Sequence, residues 1–314
     1  MKSIGTVAFF PIRTIAVLYC LLISSDAAFA QQKEQFTQYM FNGLILNPAV
    51  AGYDEALSLT FLNRSQWSAV DGAPVTQTLS AHTRFADSHS GVGISIVNDK
   101  IGVHRNQSFQ GNYAYRIQMT DQSYLLMGVQ AGVNIYRSDY SGLITTSPAY
   151  DPRLANGSIS STAFTTGAGL YYKSRKIEVG LSAPEVIPHK ISISDSVTVA
   201  WRKAQYFLFA RYTIALDAML DLQPSVLVKY MQGIPVSYDV NACLLIRKVL
   251  ALGLSYRKQE SIDFLFKAQV TPQLLLGYSY DYGTGPVSRN SRGAHELMLN
   301  YIFKYTKHNA VSPR

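Results

Sequence analysis

The chain has 314 residues, of which 47% are apolar and only 15% charged, with 21 tyrosines and a formal net charge of +8. It is too polar for a bundle of membrane-spanning helices and unusually aromatic for a soluble domain. The positive balance is no nucleic-acid footprint, because no basic cluster interleaved with aromatics occurs along the chain.

The N-terminus has the form of an export signal. Lys2 and Arg13 supply positive charge, Ile15 to Ile23 is an apolar run, and Ala28-Phe29-Ala30 fits the small-x-small cleavage rule, so the mature chain is expected to begin at Gln31. The run falls short of the roughly 18 to 20 apolar residues of a spanning helix. Cys20 follows Tyr19, a context that a lipoprotein cleavage site does not normally accept. With residues 1–30 removed, Cys243 is the only cysteine, the exported chain has no internal disulfide, and its formal charge is about +7.

Residues 31–55 form a preamble. Phe36, Tyr39, Met40, Gly43 and Leu44 recur at helical spacing, which predicts a short helix ended by Asn47-Pro48, since proline disfavours helix in the residue before it. Phe36, Tyr39, Met40 and Leu44 would be its apolar face, packed on the periplasmic mouth of a barrel or inside it. With Asn42, Asn47 and Pro48 they are the candidate plug or partner contacts. A mobile terminus that binds nothing is the competing reading.

From Ala56 the chain alternates. Phe109, Gly111, Tyr113, Tyr115, Ile117 and Met119 are set against Gln110, Asn112, Ala114, Arg116 and Gln118. Later, Val236, Tyr238, Val240, Ala242, Leu244 and Ile246 are set against Ser237, Asp239, Asn241 and Cys243. Fourteen strands are predicted, near 56–67, 75–85, 91–98, 106–119, 122–138, 162–173, 175–183, 198–216, 218–231, 235–247, 248–258, 260–269, 271–282 and 293–305. In the first, Leu57, Leu59 and Phe61 should face outward, and Ser58, Thr60 and Arg64 inward. Asp71, Gly72 and Pro74 mark a candidate turn, whereas 139–161 and 184–196 read as long, extracellular loops.

Runs of about 9 to 12 residues match tilted membrane-crossing strands better than the five or six of a soluble sandwich. Tyrosines gather near strand ends, at Tyr113 and Tyr115, Tyr171 and Tyr172, Tyr278 to Tyr282, Tyr301 and Tyr305, as in the aromatic girdles of outer-membrane barrels. The expected fold is therefore all-β: a transmembrane antiparallel barrel of about 14 strands over 56–305, preceded by a short plug-like helix and followed by a tail, 306–314.

Catalytic signatures are missing from the sequence. The six histidines are dispersed, with no HExxH and no paired cysteines, so no metal or other cofactor is expected. Ser80 and His82 are neighbours on one strand, but nothing supplies an acidic third member or an oxyanion hole, so no enzyme is expected.

Several blocks resemble the PorP/SprF family of type IX secretion and gliding-motility outer-membrane proteins. These are Gln35-Phe36-Thr37-Gln38-Tyr39-Met40-Phe41-Asn42, Asn47-Pro48-Ala49-Val50-Ala51-Gly52, Arg64-Ser65-Gln66-Trp67, Gly72-Ala73-Pro74 and Thr76-Gln77-Thr78-Leu79-Ser80. Near the end, Pro272-Gln273-Leu274, Gly277-Tyr278-Ser279-Tyr280-Asp281-Tyr282 and His295-Glu296-Leu297-Met298-Leu299 continue the likeness. Gly43 and the basic tail from Lys304 to Arg314 depart from it. The resemblance implies a barrel in the bacterial outer membrane that contacts type IX ring components and supports export or surface anchoring of a large secreted adhesin-like protein. Its other partner would be outer-membrane lipid, with no nucleic acid. The alternative is a diffusion porin or small-solute transporter, for which a preamble of 25 residues has no evident use.

Overall fold

A computed structural model describes residues 34–54, 56–85, 89–142, 157–194, 197–285 and 291–303, with the side chains of 189–194 and 197–202 excepted. The expected signal segment, Glu55, Tyr305 and the tail lie outside these residues. The alternating pattern is realised as β1 (Leu57–Ser65), β2 (Val75–Arg84), β3 (Ser90–Ile101), β4 (His104–Thr120), β5 (Ser123–Asp139), β6 (Ser158–Lys173) and β7 (Ile177–Glu185). Then come β8 (His189–Ser194), β9 (Val197–Arg202), β10 (Gln205–Tyr212), β11 (Ile214–Ala215) and β12 (Leu220–Met231). The last five are β13 (Ser237–Ile246), β14 (Leu250–Arg257), β15 (Ser261–Gln269), β16 (Leu274–Gly283) and β17 (Ala294–Phe303).

Each wall strand pairs antiparallel with its neighbours, and β1 pairs with β17 from Leu57↔Phe303 to Ser65↔His295, which closes the sheet on itself. The fragment β11 lies on the same flank of β12 as β10 and continues it, so the wall has 14 strands. Closure leaves no edge, the condition for a sheet to cross lipid.

One expected strand is not a single strand. Residues 198–216 divide at 203–204: β9 pairs only with β8 in a separate hairpin, and the wall resumes at Gln205. Period-2 alternation marks a strand without saying which strand it pairs with, so Val197 to Arg202 and the wall strand after it read as one run. For the same reason β8 falls inside the stretch 184–196 that reads as a loop.

The faces are those of an inverted protein. Phe61, Ile94, Val129, Phe164, Leu181, Val240, Leu252 and Leu254 are exposed on the outside, while Ser58, Thr60, Thr78, Ser95, Gln110, Asn134, Asn241 and Asn300 are buried within. Along β1 the burial alternates as expected, with Phe61 outward and Ser58, Thr60 and Arg64 inward. Tyr206, Tyr230, Tyr256 and Tyr282 lie exposed toward the ends of their strands, at the level of an aromatic girdle, whereas Tyr113 and Tyr115, expected there too, are exposed within the body of the 17-residue β4. Tyr171 is a correction: it is buried and points into the lumen, because it sits next to half-buried Tyr172 and adjacent strand residues face opposite ways.

The connections sort by end. Residues 85–89, 121–122, 174–176, 216–219, 247–249 and 270–273 join strands at the end where β1 begins and β17 finishes. The opposite end carries the short turns 102–103, 232–236 and 258–260, and all of the long connections: 66–74, 140–157, 186–204 with its β8–β9 hairpin, and 284–293. In outer-membrane barrels the short turns face the periplasm and the longer loops the outside. Asp71, Gly72 and Pro74 lie in the first of the outer loops, where Gly72 adopts φ +73° and its carbonyl accepts from Gly102 N at 2.8 Å.

A charge placed on the outer wall should separate a lipid-facing surface from a watery one. Leu252→Arg, midway along β14, is expected to cost about 2–4 kcal/mol in urea titrations of the barrel in lipid vesicles, where an exposed site on a soluble protein would hardly respond.

Candidate functional site

The space inside the wall is occupied by the chain's own N-terminal segment. At its start Glu34 accepts from Asn106 Nδ2 at 2.7 Å, and Gln35 Nε2 donates to Glu260 at 3.2 Å, near the long-loop end. At its other end Asp54 lies 3.9 Å from His82, near the short-turn end where β1 starts. The segment therefore runs down the lumen from the outer side to the periplasmic side. The expected helix is replaced by a turn over 39–41 and two 3-10 turns, Gly43–Ile45 and Pro48–Val50; the described residues hold no α-helix. Its backbone groups bond partly within the segment through turns, as Phe41 N to the Gln38 carbonyl and Asn47 N to the Gly43 carbonyl at 2.9 Å, and partly to wall side chains, with no continuous helical ladder. Asn47-Pro48 begins the second turn rather than ending a helix: Asn47 Oδ1 accepts from Ala49 N at 2.9 Å, an N-cap with proline in the first position.

The upper half of this contact is a belt of buried charge. Arg64 and Glu296 are cross-strand partners of β1 and β17, and Asp263 and Asp281 face each other across β15 and β16. Two carboxylates directly opposite destabilise a sheet unless cations intervene. Arg64 lies 2.7 Å from Asp281 and 3.2 Å from Glu296. Arg257 reaches Asp239 at 3.4 Å and Asp263 and Asp281 at 3.7 Å, and Lys229 holds Asp239 at 3.0 Å. The belt spans seven neighbouring strands, from β12 through β17 to β1.

The N-terminal segment completes this belt. Glu296 accepts the backbone N–H groups of Thr37 at 2.9 Å and Gln38 at 2.8 Å, while Thr37 Oγ1 donates to Asp281 at 2.7 Å. Arg64 donates to Thr37 Oγ1 at 2.9 Å, and Arg257 to the Phe36 carbonyl at 3.3 Å. Arg64 and Arg257 are 1% and 2% exposed, so these bonds form in a low dielectric where a missing partner is costly.

Lower down, close approach replaces charge. A Cβ on Gly128 would lie 2.2 Å from Ala49 N, and one on Gly169 only 2.0 Å from Asn47 Oδ1, so the wall touches the segment where it has no side chains. Asn47 Nδ2 also donates to the Leu170 carbonyl at 3.0 Å, Ser182 to the Leu46 carbonyl at 2.7 Å, and Ser80 to Asn42 Oδ1 at 3.1 Å. Ser80 is thus engaged with the segment rather than poised as a nucleophile. Apolar exceptions to the polar lumen, among them Leu62, Val97, Phe207, Leu227, Leu275 and Met298, cluster where Phe36, Tyr39 and Ile45 come to rest.

At the periplasmic mouth Tyr53 closes the arrangement. Lys173 donates to its hydroxyl, which donates on to Glu178 at 3.4 Å; Tyr171 donates to the same carboxylate, which Arg211 pairs at 2.6 Å. Beside Tyr53 is a cavity of about 130 Å³, lined by Phe41, Tyr53, His82, Arg211, Lys267 and Asn300 among others.

Of the residues singled out beforehand, Phe36, Tyr39, Asn42, Leu44, Asn47 and Pro48 are buried and Met40 is half-buried, all inside the wall. The belt residues were visible only as inward positions of alternating strands: Arg64, Asp239, Asp263, Asp281 and Glu296 all fall on the polar face of their runs. Nothing in the sequence pairs them. The blocks that carry the family likeness meet here, since Thr37, Gln38, Arg64, Asp281 and Glu296 come from four of them.

The sequence model of the family described as type IX secretion system membrane protein PorP/SprF matches residues 28–301. None of the curated proteins matches the chain. Among solved structures, the CymD monoaromatic hydrocarbon channel is similar at 12% identity and TM-score 0.53, over 84% of this chain and 93% of that one. The Acinetobacter baumannii outer membrane protein Omp33 matches at 9% identity and TM-score 0.46, over 80% of this chain and 100% of that one. The P. putida toluene transporter TodX matches at 9% and 0.47, over 84% and 94%. At such identity the CymD match speaks for the barrel fold alone.

Arg64→Ala would leave Glu296 and Asp281 without their nearest cation, and a loss of about 3–5 kcal/mol is expected on unfolding in detergent. Gly128→Val should instead loosen the segment without removing a charge, which faster amide hydrogen exchange at Ala49 to Ala51 would report.

Proposed function

This chain belongs to the PorP/SprF family of type IX secretion system membrane proteins, and on that premise we propose that it is a plugged anchor rather than a pore. In this reading its outer side supports export or surface attachment of a large secreted adhesin-like protein, and its periplasmic end contacts the ring components of the machinery. The coarser statement needs no proposal: the chain is an outer-membrane barrel of type IX secretion, and its family and fold point to a non-enzymatic role.

The observation that carries the reading is the occupied lumen. A barrel of 14 strands is wide enough to leave space that its own wall side chains do not fill. Here that space receives residues 34–54, held by the Glu296–Thr37–Arg64 bonds above and by the Gly128 and Gly169 contacts below. A diffusion pore has no use for a segment bonded so extensively to its wall. Phe36, Tyr39, Met40, Asn42, Leu44, Asn47 and Pro48 act in this reading as plug contacts, and would meet a partner only after the segment is displaced.

Two measurements test the proposal. In planar bilayers the intact protein should conduct poorly, and deletion of residues 34–48 should raise the conductance; unchanged conductance would sink the plug. In a strain lacking the gene, the cognate secreted protein should fail to reach the cell surface. Normal display there, with solute uptake reduced, would favour the transporter reading instead.

A further inference from the structure

The periplasmic rim of the barrel is unevenly charged. Six short turns border it, and their only Lys or Arg residues are Arg175 and Lys176 between β6 and β7, and Arg247 and Lys248 between β13 and β14. The two turns flank a third, 216–219, because the wall order runs β6, β7, β10 with β11, β12, β13, β14. Farther round the rim the turns 121–122 and 85–89 hold acidic residues and no Lys or Arg; 121–122 is the next turn beyond 174–176, and 85–89 lies nearly across the barrel from 216–219.

The three turns make one surface. Thr213 N donates to the Lys176 carbonyl at 2.8 Å, and Arg247 N to the Met219 carbonyl at 2.6 Å, so each hairpin tip is tied to the next. All four basic side chains are exposed. Between them Leu216 and Met219 are each 54% exposed at a tip where turns are ordinarily polar. The one acid of that turn, Asp217, is occupied in accepting the N–H groups of Met219 at 2.6 Å and Leu220 at 2.8 Å.

The backbone supplies a second, independent sign. Arg247 and Lys248 have φ of 50° and 55°, two consecutive left-handed residues. A tight hairpin turn of that shape is the natural place for Asn-Gly, and residues with a full side chain are strained in it. Basic side chains are kept at a position where the turn alone would favour others.

We propose that this arc, Arg175, Lys176, Leu216, Met219, Arg247 and Lys248, is a docking surface for an acidic face of a periplasmic protein. The surface rests on the reading of the chain as part of the secretion machinery. An apolar centre flanked by cations is the usual make-up of a protein interface, with the charges steering encounter. Phospholipid headgroups border every periplasmic turn alike, whereas among the six turns the Lys and Arg residues are confined to this one arc.

The test uses the full-length protein in its native outer membrane. A photo-crosslinking residue at Ala218 should yield a protein adduct on an Asp- and Glu-rich peptide, and the same residue at His89, across the rim in the turn between β2 and β3, should not. Two variants then probe charge. Joint replacement of Arg175, Lys176, Arg247 and Lys248 by Glu should reduce the adduct at least ~10-fold. Arg247→Asn with Lys248→Gly should reduce it too while the barrel's thermal stability is kept or raised, since that pair relieves the turn. An adduct indifferent to both variants, equal adducts from Ala218 and His89, or adducts with phospholipid alone would each overturn the proposal. If surface display is lost in the deletion strain but fully restored by the four-Glu variant, the docking surface fails and the secretion reading stands. A charge-dependent adduct with display normal in the deletion strain fails the secretion reading and keeps the surface.

Discussion

The Glu296 carboxylate, buried between Arg64 and two backbone amides of the N-terminal segment, is the contact on which the rest of the lumen depends. A barrel that faces lipid outward puts its polar groups inside, and here they meet the N-terminal segment where a pore would hold water. Asp239, Asp263, Asp281 and Glu296 can all be buried only because Arg64, Arg257 and Lys229 stand among them, and because Thr37 and Gln38 bring further donors. The N-terminal segment is thus part of the electrostatic core, and the core of this protein is assembled from a wall and a strand-free peptide.

Below the charged belt the same segment is accommodated by shape. Gly128 and Gly169 leave the wall thin where Ala49 and Asn47 touch it, and the few apolar residues that break the polar lumen are those that meet Phe36, Tyr39 and Ile45. Dense bonding above and close contact below explain why the segment takes no regular helix. Glu296, Arg257 and Ser182 of the wall bond amides and carbonyls of the segment, and its other amides close turns on its own carbonyls, so a continuous helical ladder would have to break bonds that are already made. Helical spacing of Phe36, Tyr39, Met40 and Leu44 reflects which residues point to apolar wall patches, and such spacing does not distinguish a helix from a chain of turns.

Both mouths of the barrel follow from this arrangement. The segment reaches the long-loop side with Glu34 and Gln35 and closes the periplasmic side with Tyr53, whose hydroxyl links Lys173 to Glu178. The periplasmic end thus sets Tyr53 of the segment beside an arc of three neighbouring turns that carries Arg175, Lys176, Arg247 and Lys248, and the arc and the lumen contacts share none of their side chains.

Alternation of apolar and polar residues over runs such as Phe109 to Met119 was enough to read a closed antiparallel barrel, its strand number and the outward face of each strand, because a period of two admits only one assignment of faces once lipid is outside. It also placed Arg64, Asp239, Asp263, Asp281 and Glu296 inside. Partners are another matter: which inward charge meets which is set by strand register and by strands hundreds of residues apart, as Arg64 and Glu296 are, and no local pattern encodes it. The same holds for the β8–β9 hairpin, whose residues alternate like wall strands yet pair only with each other. The inward course of residues 34–54 and the joining of three turns into one basic arc exist only once the wall has closed, because closure alone brings those segments side by side.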